Sequence, residues 1–465
     1  MNERLFLLEN EKIIKLIYKF SLPSIIGLLI TASYTIIDRI FIGNGVGVLA
    51  LSGVTIIFPI IMIGMAFSML VGIGSTALVS IRLGEKKINE AEQILGNAIS
   101  VSIIISIFLI IFCYLFIDEI LYIFGADKEV FSYAKEFLIF FLPGTIFQLL
   151  LFTLNNIIRG EGNPKTAMYT MFLSSIVNII LNPLFIFVFK LGVKGSAIAT
   201  VISQFISCTW VLLYFYSNKS ILKIRIHNLK LKFKVTRDIF SIGMASFAMH
   251  IVGSIVIMIF NSKLKIYGGD LAVASLGIIN SIVTLFLMPI FGINQGIQPI
   301  LGYNYGAKRF NRIQETLKSS MIIATIICII GFSIIFLFSN IIVGLFSKND
   351  ENLIYIGAHG LKLFTLMFPF VGFQIVAAGY FQAIGKAKHS LFFSMLRQAI
   401  VLIPLLFFLP SYFYLDGVWL AGSFSDGIAA LIMCLFIFYE WKNLEVQKRI
   451  NSHNLTLQNA TLSDS

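Results

Sequence analysis

The chain has 465 residues, of which 58% are hydrophobic and 12% are charged, whereas an average soluble domain has about 25% charged residues. A soluble protein of this length needs a mixed polar surface, which this composition cannot supply, so ordinary soluble proteins are excluded. Residues 100–117 and 321–338 contain no charged side chain, and each segment is long enough to cross about 30 Å of hydrocarbon as a helix.

In chain order, the apolar segments predict twelve transmembrane helices. They lie near residues 15–42, 49–80, 94–117, 131–158, 166–190, 195–217, 236–265, 271–302, 317–346, 353–382, 388–409 and 416–440. None of them alternates with period two, as the strands of a membrane β-barrel would, so the predicted fold class is an all-α polytopic membrane protein. Several spans contain proline, including Pro183 and Pro404, and each such proline favours a kink because it removes one helix hydrogen bond.

The Lys and Arg residues predict the orientation of the chain. If the N-terminus is cytoplasmic, the two tails and the loops after spans 2, 4, 6, 8 and 10 hold 25 of the 35 basic residues, and the opposite loops hold 7. This bias predicts that both termini are cytoplasmic. It also accounts for the net charge of +12 by topology and contact with anionic lipid, and no nucleic-acid-binding motif accompanies the charge. We therefore expect the lipid bilayer, and not a nucleic acid, as a partner.

The two halves of the chain repeat. An offset of 222 residues aligns residues 49–54 with 271–276 and residues 83–89 with 305–311 without a gap, and it places Gly74 on Gly296. Because this offset spans six helices, an even number, the repeat is parallel, with its axis along the membrane normal. It predicts two six-helix lobes around a central cavity. The predicted divisions are an N-terminal lobe at 1–218, a basic linker at 219–235, a C-terminal lobe at 236–441 and a polar cytoplasmic tail at 442–465.

Four motifs carry a family resemblance, which covers nearly all of residues 10–440. They are Gly296–Ala307, Tyr34–Gly43, Arg159–Lys165 and Phe381–Lys388. These segments resemble motifs of the MATE (multidrug and toxic compound extrusion) family and look closest to its MepA-like bacterial branch. The resemblance implies an electrochemically driven antiporter in a bacterial plasma membrane. Such a protein would expel amphipathic organic cations in exchange for protons or sodium ions, and we expect it to be a monomer.

Polar residues inside the first lobe predict a coupling site for a proton or a small cation. Asp38 lies about five residues, or about 7 Å, before the outer end of span 1. Asn178 and Asn182 share one face of span 5 at i and i+4, and Thr200 lies at a similar depth in span 6. Carboxylate and amide oxygens suit hard ions, so sodium binding at Asp38 is one hypothesis. The alternatives are that Asp38 pairs with Arg39, and that the other three side chains only bond the helices together.

One position departs from the resembled family. Its branch commonly carries an acid where this chain has Asn182. An amide can bind sodium but takes up no proton at ordinary pH. Asp38 is therefore the only obvious titratable group of the predicted site, and the coupling ion stays open between proton and sodium.

The second lobe holds a different pair of charges. Arg397 in span 11 and Asp426 in span 12 both lie near the predicted midplane. They predict a buried ion pair that is either structural or in competition with the coupling ion or substrate. His250 could titrate near neutral pH, although a lone histidine usually packs against a polar neighbour. The candidate residues of the substrate cavity or the lobe ion pair are Arg397, Asp426, His250, Tyr34, Asn155 and Gln298.

No enzymatic activity or cofactor is predicted. The chain has no Walker P-loop and no evident nucleophile–base motif. Its four cysteines stand alone in apolar segments, which argues against a metal or disulfide framework. Two further function classes remain as alternatives: a flippase for lipid-linked oligosaccharides or related precursors, and a structural or receptor-like membrane protein. A flippase would favour several cations lining the cavity, and this chain has few cations inside its spans.

Overall fold

The computed structural model describes residues 3–346 and 350–463, and these residues are almost entirely helical, with no strand among them. The predicted tail at 442–465 therefore extends two residues beyond the described part of the chain. The α-helices are α1 (Glu3–Asn10), α2 (Ile13–Gly45), α3 (Val48–Gly84), α4 (Ile88–Leu115), α5 (Ile117–Ile123), α6 (Lys128–Phe141), α7 (Thr145–Gly160), α8 (Pro164–Pro183), α9 (Gly192–Tyr216), α10 (Phe233–Gly306), α11 (Phe310–Gly344), α12 (Glu351–Phe364), α13 (Phe368–Ala383), α14 (Ala387–Met395), α15 (Ile403–Phe408) and α16 (Pro410–Ser463).

Ten segments of the described chain are long and apolar enough to cross a membrane, and the bent pair α12–α13, with 51° between its parts, raises the number to 11. Helix α10 has 74 residues, which as a straight helix would measure about 110 Å against about 30 Å of hydrocarbon. Its backbone breaks at Gly269, where φ is 68° and ψ is −164°, a conformation that glycine adopts without steric cost. With the two arms of α10 counted separately, the arrangement is consistent with the twelve predicted spans.

Two of the predicted kinks take the form of π-helical turns. One turn, Leu184–Val188, directly follows Pro183, and the other, Leu396–Leu402, lies just before Pro404. Both prolines lack the amide hydrogen that the regular helix would use, so the turns widen locally. The two turns belong to spans 5 and 11, which are equivalent helices of the predicted repeat.

The hydrophobic core divides unequally between the two ends of the helical bundle. We call α2–α9 the first lobe and α10–α16 the second lobe, and we call the end that carries residues 217–232 the linker end. At the linker end, one cluster of buried residues includes members of both lobes, for example Leu83 and Leu301. At the far end, the described residues form two clusters, one confined to the first lobe around Ile42 and Leu138 and one confined to the second lobe around Leu264 and Trp419. The lobes are therefore packed together at the linker end and have separate cores at the far end.

Glycines that are related by the repeat allow the backbones of the two lobes to approach closely. A Cβ atom built on Gly84 would lie 2.9 Å from the carbonyl carbon of Tyr303. One built on Gly306 would lie 3.0 Å from the carbonyl carbon of Ile81. The offset of 222 residues that relates the two glycines also relates Ile81 to Tyr303. We call this closely packed region, where α3 meets the second arm of α10, the seam.

Candidate functional site

The four residues predicted as a coupling site lie together in the first lobe. The amide nitrogen of Asn182 donates hydrogen bonds to the Asp38 carboxylate and to Asn178 Oδ1, the latter at 3.4 Å. Asn178 Nδ2 in turn donates to Thr200 Oγ1 at 3.1 Å. A fifth residue joins them, because Ser196 Oγ donates to Asp38 Oδ1 at 2.9 Å. We call these five residues the Asp38 cluster.

Three helices bring the Asp38 cluster together. Asp38 comes from α2, Asn178 and Asn182 from one face of α8, and Ser196 and Thr200 from one face of α9. The two pairs on α8 and α9 are both spaced by four residues, so each pair forms a continuous polar stripe. A Cβ on Gly195 would lie 3.1 Å from the Phe185 backbone, so the absence of a side chain there allows α9 to approach the end of α8.

The depth of Asp38 differs from the prediction. Helix α2 continues to Gly45, so Asp38 lies seven residues from the end of the helix, or about 10 Å, where five residues were predicted. The difference arises because Gly43, Asn44 and Gly45 complete another turn beyond the last apolar residue, Ile42. Asp38 is therefore further inside the helix than the apolar pattern indicates.

The surroundings of Asp38 bear on the alternatives left by the sequence. Arg39 makes no ion pair with Asp38 in the described structure, and its guanidinium lies 5.5 Å from the centre of the Phe58 ring. The predicted interhelical hydrogen bonds of Asn178, Asn182 and Thr200 are present. However, they do not use every polar atom, because Asn182 Oδ1 is buried and has no hydrogen-bond partner among the described residues.

The cluster has the chemistry of a small-cation site. One carboxylate, two amides and two hydroxyls supply oxygen ligands, and the unpartnered Asn182 oxygen is available to a hard cation or to an ion-bound water. No group of three or more His, Cys, Asp or Glu side chains suited to a tightly bound metal occurs among the described residues. Tyr34 lies one turn before Asp38 on α2 and is half-buried, so it belongs to the same helix face.

The predicted charges of the second lobe form an ion pair. Arg397 Nε lies 3.3 Å from Asp426 Oδ1. The backbone at both positions is also held, since Gln374 Nε2 donates to the Asp426 carbonyl at 2.7 Å and Ser425 Oγ donates to the Arg397 carbonyl at 2.6 Å. Arg397 lies inside the π-helical turn of span 11, and the Asp38 cluster lies beside the π-helical turn of span 5.

The other three candidate residues are not bonded to either group in the described structure. Asn155 on α7 is 6% exposed, and its Oδ1 atom has no hydrogen-bond partner in the part of the chain that the structure describes. Gln298 on α10 is 4% exposed. His250 is half-buried on α10, and its backbone carbonyl accepts a hydrogen bond from Ser254 Oγ at 3.1 Å. No hydrogen bond of the described residues joins any of the three to the Asp38 cluster or to the ion pair.

Arg159 is a buried polar residue that the sequence reasoning did not select. It is 5% exposed at the end of α7, and its Nη1 atom donates to Gln295 Oε1 of the second lobe at 2.5 Å and to Asn156 Oδ1 at 3.4 Å. It forms no ion pair with a carboxylate in the described part of the chain. The only sequence signal for it was its place at the start of the Arg159–Lys165 motif.

Comparison with known proteins gives relatives that span nearly the whole chain. The multidrug export protein MepA of Staphylococcus haemolyticus is 29% identical over 442 residues, covering 95% of this chain and 97% of the relative. MepA of Staphylococcus aureus is 28% identical over 437 residues, covering 94% and 96%.

Solved structures match over a similar length. The MATE multidrug transporter DinF-BH superposes with a TM-score of 0.86 at 37% identity, covering 92% of this chain and 96% of that one. A multidrug resistance MATE family transporter of the MOP superfamily, in an outward-facing conformation, superposes with a TM-score of 0.90 at 24% identity, covering 96% and 99%. This second likeness shows the fold.

The MatE family model matches residues 23–184 and 244–408, one segment in each half of the chain. Both segments lie inside the helical lobes, and the first contains Asp38, Asn178 and Asn182. With the fold, the relatives and this match in agreement, the chain is a multi-pass membrane protein that belongs to the MatE family of transporters.

Proposed function

We propose that the protein is a secondary active multidrug exporter, which expels amphipathic organic cations in exchange for protons or sodium ions. The observation that carries this proposal is the Asp38 cluster. In it, a half-buried carboxylate inside a transmembrane helix is surrounded by neutral oxygen ligands and forms no ion pair with any described residue. A charge at such a depth is costly and is functional by default. The relatives named as multidrug export proteins support the same activity.

The proposed mechanism is alternating access between the two lobes. The basic loops favour a cytoplasmic linker end, so a bundle packed at the linker end and divided at the far end corresponds to a state open to the outside. In that state a proton or sodium ion would reach Asp38 from outside and neutralise it. Ion binding would then favour the opposite packing of the lobes, because the ion stabilises one state more than the other.

The coupling ion depends on which atoms of the cluster take part. A proton needs only the Asp38 carboxylate, whereas sodium would use several oxygens, including the unpartnered Asn182 Oδ1. We expect the Asn182→Ala variant to lose sodium-driven export and to keep proton-driven export. Loss of proton-driven export alone would contradict this assignment of the Asn182 oxygen.

The test of the proposed function is the movement of a fluorescent organic cation in everted membrane vesicles, with proton and sodium gradients imposed separately. The wild-type chain should transport the dye under at least one gradient. The Asp38→Asn variant should transport the dye at least about tenfold more slowly, while its amount in the membrane stays normal. The reason is that the neutral amide has no negative charge for the coupling ion to neutralise.

Asp270→Asn is the matched control, because it makes the same chemical change on an exposed side chain next to the Gly269 break of α10. It should transport as the wild type does. Undiminished export by Asp38→Asn would refute the coupling site. No dye movement by the wild-type chain under either gradient would refute the antiporter and favour a flippase for lipid-linked precursors.

A further inference from the structure

The short N-terminal helix α1, together with Glu11, crosses the linker end of the seam; we call residues 3–11 the strap. Leu8 of the strap is fully buried in the core cluster that both lobes share. Toward the first lobe, Arg4 Nη1 donates to the Tyr214 hydroxyl at 2.9 Å and lies 3.6 Å from Glu161 Oε1. The strap is therefore anchored on the first lobe, to which α2 also joins it directly.

The end of the strap binds the second lobe. Arg309 pairs with the Glu9 carboxylate and also donates to the Glu9 carbonyl oxygen at 2.6 Å. Arg312 Nη2 donates to the carbonyl oxygens of Leu8 and Glu11 at 3.2 Å and 2.8 Å. The last carbonyl groups of a helix lack partners within the helix, and here two arginines of the other lobe supply donors.

The internal repeat shows why the second lobe needs this partner. The equivalent corner of the first lobe is the turn between α3 and α4. There, Lys87 Nζ lies 3.1 Å from Glu85 Oε2, Arg82 Nη1 lies 2.7 Å from the same oxygen, and Arg82 Nε lies 3.1 Å from Glu90 Oε2. That corner neutralises its own cations. The offset of 222 residues replaces Lys87 by a second cation, Arg309.

The same offset removes the acids of that corner. Glu85 is replaced by Ala307 and Glu90 by Arg312. The second corner thus keeps its positive charge but lacks the two carboxylates that compensate it in the first. The strap supplies the missing acceptors, Glu9 and the carbonyl oxygens of the last turn of α1.

We propose that the strap is a conformational latch that stabilises the closed linker end, and that its contacts with Arg309 and Arg312 break whenever the lobes separate there. Only two residues join α1 to α2, so the strap cannot follow the second lobe when that lobe moves away. The proposal uses the alternating access of the proposed function, but the distance measurement that tests it needs no substrate and no ion gradient. Its outcome is therefore separate from the outcome of the transport assay.

The measurement is the distance between two spin labels on opposite lobes at the linker end. Lys165 and Lys388 are both exposed, at the starts of α8 and α14, and each can be replaced by cysteine. Cys434 is the exposed native cysteine among the four and is replaced by serine, while the other three are buried. Double electron–electron resonance spectroscopy on the full chain in lipid nanodiscs then gives the populations of the states with a closed and an open linker end.

The Arg309→Ala variant should raise the ratio of open to closed states by about three- to tenfold, because it removes a partly exposed ion pair together with a backbone contact. Lys87→Ala is the matched control. It removes the equivalent cation of the first lobe, whose partners lie on its own corner, and should leave the ratio unchanged.

Glu9→Gln provides a second variant that leaves the second lobe intact, in case Arg309→Ala fails to fold. It should shift the ratio in the same direction by a smaller factor, since the carbonyl contacts of the strap remain. A wild-type distance distribution in Glu9→Gln and in any folded Arg309→Ala protein would overturn the latch. An equal shift in Lys87→Ala would also overturn it, because the effect would then be a general loss of charge.

Discussion

Gly84 and Gly306 bring two helix backbones of opposite lobes against each other, and a single methyl group at either position should open the seam. We expect Gly84→Ala to disfavour the closed linker end while both lobes keep their own folds. The reason is steric. The atoms that the new Cβ would meet are backbone atoms of Tyr303 and Ala307, which no change of rotamer can move away.

The size of the effect follows from the distances. The new Cβ would lie 2.9 Å from the Tyr303 carbonyl carbon and 3.0 Å from the Ala307 nitrogen, whereas ordinary contacts begin at 3.4 Å. The carbonyl oxygen of Tyr303 would lie closer still, so the two helices must separate by more than about 1 Å across the seam. Overpacking of this kind costs about 1–3 kcal/mol. Such a cost lowers the ratio of closed to open states by about five- to 150-fold.

Thiol labelling measures this ratio. Ser80 is fully buried at the seam, and Ser80→Cys adds a thiol of similar size in a background with the exposed Cys434 replaced by serine. The added cysteine should react slowly with a maleimide when the seam is closed. In the Gly84→Ala variant, the added cysteine should react about five- to 150-fold faster.

Two further glycine variants calibrate the result. Gly306→Ala should accelerate labelling by a similar factor, because the repeat places it in the equivalent contact. Gly277→Ala changes a glycine of the same helix α10, and no atom of the described residues lies within 4 Å of the new Cβ. It should leave the rate unchanged. Wild-type labelling in both seam variants would refute the reasoning.

Two other predictions concern ion pairs of the second lobe. Arg397→Gln and Asp426→Asn should each lower the free energy of unfolding by about 1–3 kcal/mol in detergent, because each leaves one partly buried polar group without its partner. The double variant should recover most of the loss if the pair is structural, and a fully additive loss would favour separate roles. Glu440→Gln should cost about 1–3 kcal/mol, because Lys386 Nζ lies 2.7 Å from both Glu440 carboxylate oxygens. Glu445→Gln on the exposed face of the same helix is its control, and an equal loss in a thermal-shift assay would contradict the assignment.

Much of the fold follows from the sequence because the bilayer constrains it strongly. The long apolar segments had to be helices, and the parity of the 222-residue offset required a parallel repeat. Helix ends were less accurate, as the extra turn after Ile42 shows, because the last turns lie at the interface, where hydropathy carries little information. The division of the chain into lobes, linker and tail remains a prediction.

The Asp38 cluster was accessible from the sequence for a simple reason. Polar residues are rare inside the spans, and estimates of depth and helical face bring Asp38, Asn178, Asn182 and Thr200 to one level. Ser196 was missed although it lies one turn from Thr200 on the same face, because a serine near a helix end is common. The roles proposed for all of these residues remain predictions.

Contacts between the lobes could not be predicted. The bond from Arg159 to Gln295 and the pairing of the strap with Arg309 join residues more than 130 positions apart. If the lobes alternate as proposed, such contacts depend on which state the chain adopts. A hydropathy pattern is the same in every state, so it carries no information about them.

The repeat-related contacts of the seam make it equivalent to the interface of a two-fold symmetric dimer, although a single chain forms it. In such an isologous interface every contact occurs twice, once on each side of the axis. A movement that preserves this two-fold relation and separates Gly84 from Tyr303 therefore also separates Gly306 from Ile81. Closing the linker end would then be a cooperative step, in which the two halves of the seam form together, and partly closed states would be sparsely populated.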